Sequence, residues 1–305
     1  MSETTSAEFF ATLLMQGFAG ISLFSVLLLM ALGLAIIFGQ MGVINMAHGE
    51  FMAIGSYTTY ILSVLASEQG WLDIYFPFSL IAAFIVAGVA GYLLEIVLIR
   101  HLYKRPLDTL LATWGVSLIL QQIFRSVFGA REVSPELPEW IMGSVQPGEG
   151  IDIPINGLFV LGLAGLVTAG VALMMFRSRW GLQVRATSQN RLIAGAVGID
   201  TQQVDRITFA LGCGLAGVAG AAFTTIASTG PTSGSLYIVD TFLVVVFGGA
   251  ASMVGTLASA FTIGQAQSIL EFLMTGSMAK VLTLVTVVGL LMMRPEGLFT
   301  AKVRR

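Results

Sequence analysis

Charged residues are scarce in this chain of 305 residues, where Asp, Glu, Lys and Arg together make up only 10%. Ordinary soluble domains contain roughly 25% charged residues. This chain is instead 56% hydrophobic and has a mean hydropathy of +0.88, which argues against a water-soluble fold. Its net charge of −2 also gives no electrostatic reason to expect nucleic acid as a partner.

Cysteine and histidine are nearly absent as well. The single cysteine, Cys213, excludes an internal disulfide and a cysteine-based zinc cluster, and His48 and His101 are the only histidines. The zinc-protease motif HEXXH, the nucleophile elbow GXSXG and the phosphate loop GXXXXGK(S/T) do not occur in the sequence. We therefore expect no catalytic residue, metal or cofactor in this chain, and any energy from ATP must come from another subunit.

Long apolar runs divide the chain into nine candidate membrane spans. A helix over residues 9–38 would extend about 45 Å, which exceeds a bilayer core of roughly 30 Å. We therefore interpret residues 8–16 as an interfacial lead-in and 17–38 as the first span. The other spans are expected at about 43–65, 75–99, 109–128, 155–176, 207–227, 241–254, 256–274 and 279–293.

The segment at 241–254 is short for a span, and the stretch 247–255 is rich in glycine. A half-helix or a re-entrant piece is therefore expected near 241–255. The fold predicted from the whole pattern is an all-α, polytopic transmembrane bundle with about eight or nine membrane segments. It forms a single transmembrane domain over residues 1–305.

Basic residues indicate how the spans are oriented. Most of them lie at 100–105, 177–206 and 294–305, and we expect these places to face the cytoplasm. The stretches 66–74 and 228–240 carry no Lys or Arg, and 130–154 carries only Arg131 against five acids, so these should face the outside. This arrangement predicts an external N-terminus and an internal C-terminus, which an odd number of spans allows.

Polar side chains inside the apolar segments mark a candidate solute path, because polar groups at membrane depth usually line a path or meet a partner. Asn45 can cap the helix that follows and leave its first backbone amides free for a solute oxygen. Thr113, Ser117 and Gln121 recur every four residues, which places them in one stripe on a helix. Hydrogen bonding between helices, without contact to solute, is the alternative. The candidate pathway residues are Asn45, His48, Glu50, Thr113, Trp114, Ser117, Gln121, Gln122, Gln267 and Glu271.

The loop at 177–206 is long for a connection, and residues 188–198 within it predict a short amphipathic helix. Ser188 is a suitable cap, and Gly198 suits a left-handed end. The apolar face of this helix would consist of Leu192, Ile193, Ala196 and Val197. We expect that face to insert into a groove on another protein, and the alternative is that it lies flat on lipid.

Four segments carry a resemblance to a known family: GVINMAHGEFMAIGSY at 42–57, RWGLQVRATSQNRLIAGAVGID at 179–200, FGGAASMVGTLASAF at 247–261 and RPEGLF at 294–299. These segments resemble the permeases of the branched-chain amino-acid and amide ABC importers. The segment RPLDTLLATWGVSLILQQIFRSVFG at 105–129 is similar to the urea-importing branch of that family.

The resemblance implies a multi-pass permease subunit in the bacterial cytoplasmic (inner) membrane that translocates urea from a periplasmic solute-binding protein. It also implies a second homologous permease and two cytoplasmic ATPase subunits, which hold ATP and Mg²⁺. The loop at 177–206 is similar to the family's docking element, although it lacks the acidic residue that opens the EAA motif. The candidate coupling residues are Arg185, Arg191, Leu192, Ile193, Ala194, Gly195, Gly198 and Ile199.

Two alternatives to a urea importer stay open at this point. The first is a permease of the same kind that carries branched-chain amino acids or short amides. The second is a secondary transporter or a channel, which would need no ATPase.

Overall fold

The computed structural model describes residues 2–103, 105–148, 151–249, 252–293 and 297. Most of these residues are helical. The helices are α1 (Ser2–Met41), α2 (His48–Gln69), α3 (Tyr75–Leu94), α4 (Arg100–Leu102), α5 (Pro106–Phe128), α6 (Ile155–Arg177), α7 (Arg179–Gln189), α8 (Arg191–Ala196), α9 (Thr201–Phe223), α10 (Ser233–Gly248), α11 (Met253–Leu273) and α12 (Gly276–Met293). A π-helical turn, Glu95–Ile99, joins α3 to α4, and an antiparallel hairpin pairs β1 (Ser144–Gly148) with β2 (Ile151–Pro154).

Among the described residues, six helices are long and apolar enough to cross a membrane. They are α1, the continuous stretch Tyr75–Leu102, α5, α6, α9 and α12. Helices α2 and α11 reach 22 and 21 residues, and α10 is an apolar helix of 16 residues. The prediction of an all-α, polytopic membrane bundle is therefore confirmed, with the short hairpin as an addition that the apolar pattern did not indicate.

Three boundaries differ from those expected. The expected boundary between the lead-in at 8–16 and the span at 17–38 is not a break in the helix, since α1 is continuous from Ser2 to Met41. Helix α2 begins at His48 instead of residue 43. The expected span at 241–254 is divided, since α10 starts at Ser233 and ends at Gly248, and α11 starts at Met253. Helix α10 extends about 24 Å, which is short of the roughly 30 Å bilayer core.

Helix α9 lies at the centre of the bundle, in contact with α1, α2 and α3. All of its residues from Gly212 to Phe223 are buried. A Cβ added to Gly217 would overlap Ala83 of α3, and one added to Gly220 would overlap the Met52 carbonyl of α2. Small residues at these positions therefore let the helix backbones touch, which is how helices pack closely in lipid.

Helix α2 begins deep inside the bundle. His48 Nε2 lies 3.1 Å from the carbonyl oxygen of Met30 on α1, and Met30 precedes the end of α1 by roughly 16 Å. A Cβ on Gly49 would overlap the carbonyl of Gly234, and the reverse also holds. The first turns of α2 and α10 therefore meet inside the bundle, and the chain enters α2 through a non-helical link at residues 42–47.

We predict that Gly49→Ala destabilises the protein, because the new methyl group would overlap a backbone carbonyl that moves only if α2 and α10 separate. Overpacking of this kind costs about 1–3 kcal/mol. Gly162→Ala on α6 is the matched control, since nothing lies within 4 Å of a Cβ at that position. Thermal unfolding of the purified protein should show a lower midpoint for Gly49→Ala alone. Equal midpoints would show that the contact between α2 and α10 is dispensable.

Candidate functional site

The structure brings three of the predicted pathway residues together between α2 and α5. Ser117 Oγ and Gln121 Nε2 each donate a hydrogen bond of 2.9 Å to Glu50 Oε1, and Gln121 Nε2 also lies 3.1 Å from Ser117 Oγ. Glu50 is fully buried and Ser117 nearly so, whereas Gln121 is partly exposed. The polar stripe of α5 therefore faces α2. We call Glu50, Ser117 and Gln121 the polar cluster.

The same stripe supports the non-helical link before α2. Thr113 Oγ1 accepts a hydrogen bond of 3.1 Å from the Met46 N–H. Asn45 contributes twice, because its Oδ1 accepts from the Ala47 N–H at 3.1 Å and its carbonyl oxygen accepts from the His48 N–H at 3.2 Å. Backbone groups at membrane depth have no water to bind, so these internal acceptors satisfy them.

The expectation that Asn45 caps α2 is therefore wrong. The N-cap of α2 is Ala47, which offers no side-chain cap, and Asn45 stands two residues earlier. The N–H groups of residues 46, 47 and 48 are already bonded within the protein. A link this deep must take its acceptors from the protein, and Asn45 therefore holds the link in place.

Buried polar atoms without a hydrogen-bond partner mark the start of α2. Within the described part of the chain they include Asn45 Nδ2, His48 Nδ1 and Glu50 Oε2, and all three residues are fully buried. Leaving a buried acceptor unpaired costs roughly 1–3 kcal/mol. An N–H donor supplied from outside the protein would satisfy Glu50 Oε2, since an ionised carboxylate only accepts hydrogen bonds.

The two helices that carry the polar cluster also border an apolar cavity of about 230 Å³. It lies between α2, α3 and α5 and is lined by Phe51, Ile54, Ala90, Leu93, Leu94, Val97, Val116 and Leu120. Phe51, Val116 and Leu120 each neighbour one of the cluster residues in the sequence. The cluster residues themselves do not line this cavity, so the carboxylate acceptor and the apolar recess are two features of the same pair of helices.

Three aromatic residues that the sequence analysis missed pack against one another along the same two helices. The ring of Tyr57 stacks on Phe128 with 4.1 Å between centroids, and Phe124 lies 5.0 Å from Tyr57. Tyr57 follows Glu50 by two helical turns, and Phe124 and Phe128 follow Gln121 by one and two turns. That helical spacing from the polar residues is the signal that could have found them.

The other predicted pathway residues lie apart from the polar cluster. His48 is bound to α1 through Met30. Trp114 and Gln122 are exposed on the outer side of α5. Gln267 is buried within α11, and Glu271 of the same helix is exposed. The structure therefore does not join the face at 267–271 to the stripe on α5.

The predicted amphipathic helix in the loop is α8, and it is shorter than expected. Asn190 is its cap instead of Ser188, because Asn190 Oδ1 accepts from the N–H groups of Leu192 and Ile193 at 3.1 Å each. Ser188 lies in the last turn of α7, where its Oγ donates to the Arg185 carbonyl at 2.9 Å. The left-handed end at Gly198 is present as expected, with φ of +89°.

The apolar face of α8 is exposed. Leu192 is 88% exposed, Ile193 62% and Val197 72%, whereas Ala194 is buried against the protein. Gly195 is exposed, and Ile199 is half-buried, with its N–H bonded to the Ala194 carbonyl at 3.1 Å. Large apolar side chains that are exposed outside the apolar helices are typical of an interaction surface.

The two arginines proposed as coupling residues have partners within the protein. Arg185 donates to the Met175 carbonyl, and its guanidinium lies 5.7 Å from the centre of the Phe176 ring. Arg191 forms an ion pair with Asp205 of α9. Both arginines therefore attach the loop to the membrane helices, and the exposed contact surface is left to the apolar residues of α8.

The family model for the branched-chain amino acid transport system permease component matches residues 17–291. The chain belongs to this family. Its relatives include the high-affinity branched-chain amino acid transport system permease protein LivH of Salmonella typhimurium, which is 29% identical over 96% of this chain and 97% of its own length. The corresponding protein BraD of Pseudomonas aeruginosa is 28% identical over 92% of this chain and 93% of its own length. No solved structure matches the chain.

Family membership, together with the apolar helices, makes this chain a multi-pass permease component of the inner membrane. The match covers the candidate pathway residues and the loop at 177–206. It gives no support to the expected urea specificity, because the matching relatives are named for branched-chain amino acids. The alternative reading of the sequence, an importer of branched-chain amino acids, fits these relatives better.

We predict that Gln121→Leu lowers transport, because it removes one of the two hydrogen bonds that hold Glu50 Oε1. The loss of one such bond costs roughly 1–3 kcal/mol, or about 5- to 150-fold in apparent affinity or rate. Gln122→Leu, a neighbouring exposed position on the same helix, is the matched control. Solute uptake should be measured per assembled permease complex. The polar cluster has only a structural role if the two variants take up solute equally well.

Proposed function

We propose that this chain is the membrane-spanning permease subunit of an ATP-driven importer for branched-chain amino acids. The observation that carries the proposal is the exposed apolar face of α8, on a chain that belongs to a transport permease family. The exposed side chains of Leu192, Ile193 and Val197, outside the apolar helices, suit insertion into a groove of a partner protein. The proposed partner is an ATPase subunit, which would couple ATP hydrolysis to transport through this contact, since the chain has no phosphate loop of its own.

The proposed assembly contains a second homologous permease, two cytoplasmic ATPase subunits and a periplasmic solute-binding protein. ATP and Mg²⁺ would bind the ATPase subunits alone. Burial supports further partners within the membrane, because the most apolar windows of α5, α6 and α12 are at most 22% buried, against 78% for α1 and α9. Those outer faces would meet lipid and the second permease. The external N-terminus and internal C-terminus remain predictions.

The site between α2 and α5 supports an amino acid with an aliphatic side chain. The free Glu50 Oε2 would accept from an ammonium group, and the cavity of about 230 Å³ between α2, α3 and α5 is the candidate place for the apolar part of the molecule. Relatives named for branched-chain amino acids support the same substrate class. The transport step would then expose this site to each side of the membrane in turn.

Urea is the second candidate, and one observation favours it. The polar cluster offers acceptors to a flat solute with several N–H donors, and it lies within the segment 105–129 that resembles urea permeases. Urea has no apolar part that the apolar cavity could receive. Short amides have both N–H donors for the cluster and an apolar part for the cavity, and they remain a further candidate.

Uptake by the reconstituted complex separates these substrates. We predict that vesicles containing the complex and its binding protein transport labelled leucine when ATP is present on the side of the membrane where the ATPase subunits lie. Excess unlabelled urea should leave this uptake unchanged. If the vesicles accumulate labelled urea and excess leucine does not inhibit that uptake, urea becomes the first candidate substrate. Equal uptake with and without ATP would identify a channel or a secondary transporter.

We predict that the double variant Leu192→Asp with Ile193→Asp loses transport, because two charges would have to enter the apolar groove of the partner without partners of their own. The permease should still insert and fold, since both side chains are exposed. Gln202→Asp with Gln203→Asp adds the same charge at exposed positions nearby and serves as the control. Co-purification of the ATPase subunits is the measurement. Normal association in the α8 variant would exclude this helix as the docking surface.

A further inference from the structure

A buried carboxylate connects α8 to the membrane helices. Asp205 lies in the second turn of α9 and its side chain is fully shielded from solvent, whereas its partner Arg191 is the first residue of α8 and is 42% exposed. The guanidinium of Arg191 also lies over the ring of Tyr103, 5.1 Å from its centre. Arg191 is therefore held from two sides at the base of the exposed helix.

Asp205 has a second partner that leads into the membrane. Gln40 Nε2, in the last turn of α1, donates a hydrogen bond of 3.2 Å to Asp205 Oδ1. Gln40 stands just before the non-helical link at 42–47, and that link passes Thr113 on its way to the polar cluster. One carboxylate therefore joins the start of the exposed helix to the segment that enters the candidate site.

A second buried carboxylate reinforces the same place. Glu95, in the π-helical turn after α3, accepts a hydrogen bond of 2.9 Å from the Tyr103 hydroxyl. Its other oxygen lies 3.5 Å from Nε of Arg206 on α9. Tyr103 thus lies between the two carboxylate groups, with its hydroxyl on Glu95 and its ring beneath Arg191.

We propose that Asp205 is a positioning residue that transmits movement of α8 to the link at 42–47. The inference rests on the proposed function, in which a partner subunit moves α8. A buried carboxylate that loses its cation is strongly destabilised, so Arg191 and Asp205 must move together. Helix α9 is held from Gly212 to Gly220 by close contacts with α1, α2 and α3. Asp205 lies about two turns before that stretch, and its partner Gln40 lies in the last turn of α1, so these two helix ends are the parts free to follow α8. Displacing Gln40 displaces the link and, through it, the start of α2.

The test measures ATP hydrolysis and solute uptake in the same vesicles. The variants are Gln40→Met, which leaves the ion pair intact, and Arg191→Gln, with Arg179→Gln at an exposed position of α7 as the control. The solute is labelled leucine, or labelled urea if the wild-type complex transports that instead. Gln40→Met should keep its ATPase subunits and its rate of hydrolysis, and Arg191→Gln, which leaves Asp205 without its cation, is compared on the fraction that assembles. Their uptake per ATP hydrolysed should fall about 5- to 150-fold, the range of an ordinary coupling between sites.

The double variant distinguishes a relay from two separate defects. In a relay, Gln40→Met adds little to Arg191→Gln, because residues in one network have effects that do not add. Multiplying effects, or wild-type uptake per ATP in Gln40→Met, would overturn the relay and leave the proposed function standing. A wild-type complex that takes up solute without ATP would overturn both. If Arg191→Gln does not assemble, Gln40→Met alone decides the question.

Discussion

Contact between glycine backbones holds this bundle together. Lipid tails are as apolar as leucine, so helices in a membrane gain little from hiding apolar side chains and depend on close packing instead. Helix α9 makes this possible, because Gly212, Gly217 and Gly220 bring its backbone against α1, α3 and α2. The position of every other feature, including the depth at which α2 begins, follows from these contacts.

The non-helical link at 42–47 determines where the candidate site lies and why polar side chains surround it. Once α2 begins at the level of Met30, several N–H groups lie where neither water nor a helix can bond them. Asn45 and Thr113 supply the missing acceptors, which requires α5 to lie against the link. The next polar residues of α5 then face Glu50, whose carboxylate keeps one oxygen without a partner among the described residues.

Periodicity and composition predicted the helices and the stripe of Thr113, Ser117 and Gln121, because both depend on spacing within one helix. They did not predict that α2 starts at His48 or that Asn190 caps α8. Those boundaries depend on which residue finds a tertiary partner, and Ser188 loses the cap because α7 extends through it. The aromatic group around Tyr57 and the pairing of Glu50 with α5 were missed for the same reason, since they join distant parts of the chain.

The two helices that carry the polar cluster are held to the rest of the bundle to different extents. Glu50 stands on α2, which the glycines of α9 and α10 hold in place. Its partners Ser117 and Gln121 stand on α5, whose most apolar window is only 22% buried and which contacts the bundle chiefly through α2. A change in the distance between α2 and α5 would break the hydrogen bonds to Glu50 and the packing of Tyr57 against Phe124 and Phe128. In the proposed function, a solute that supplies N–H donors would replace the hydrogen bonds to Glu50, and the carboxylate would remain paired while α5 moves.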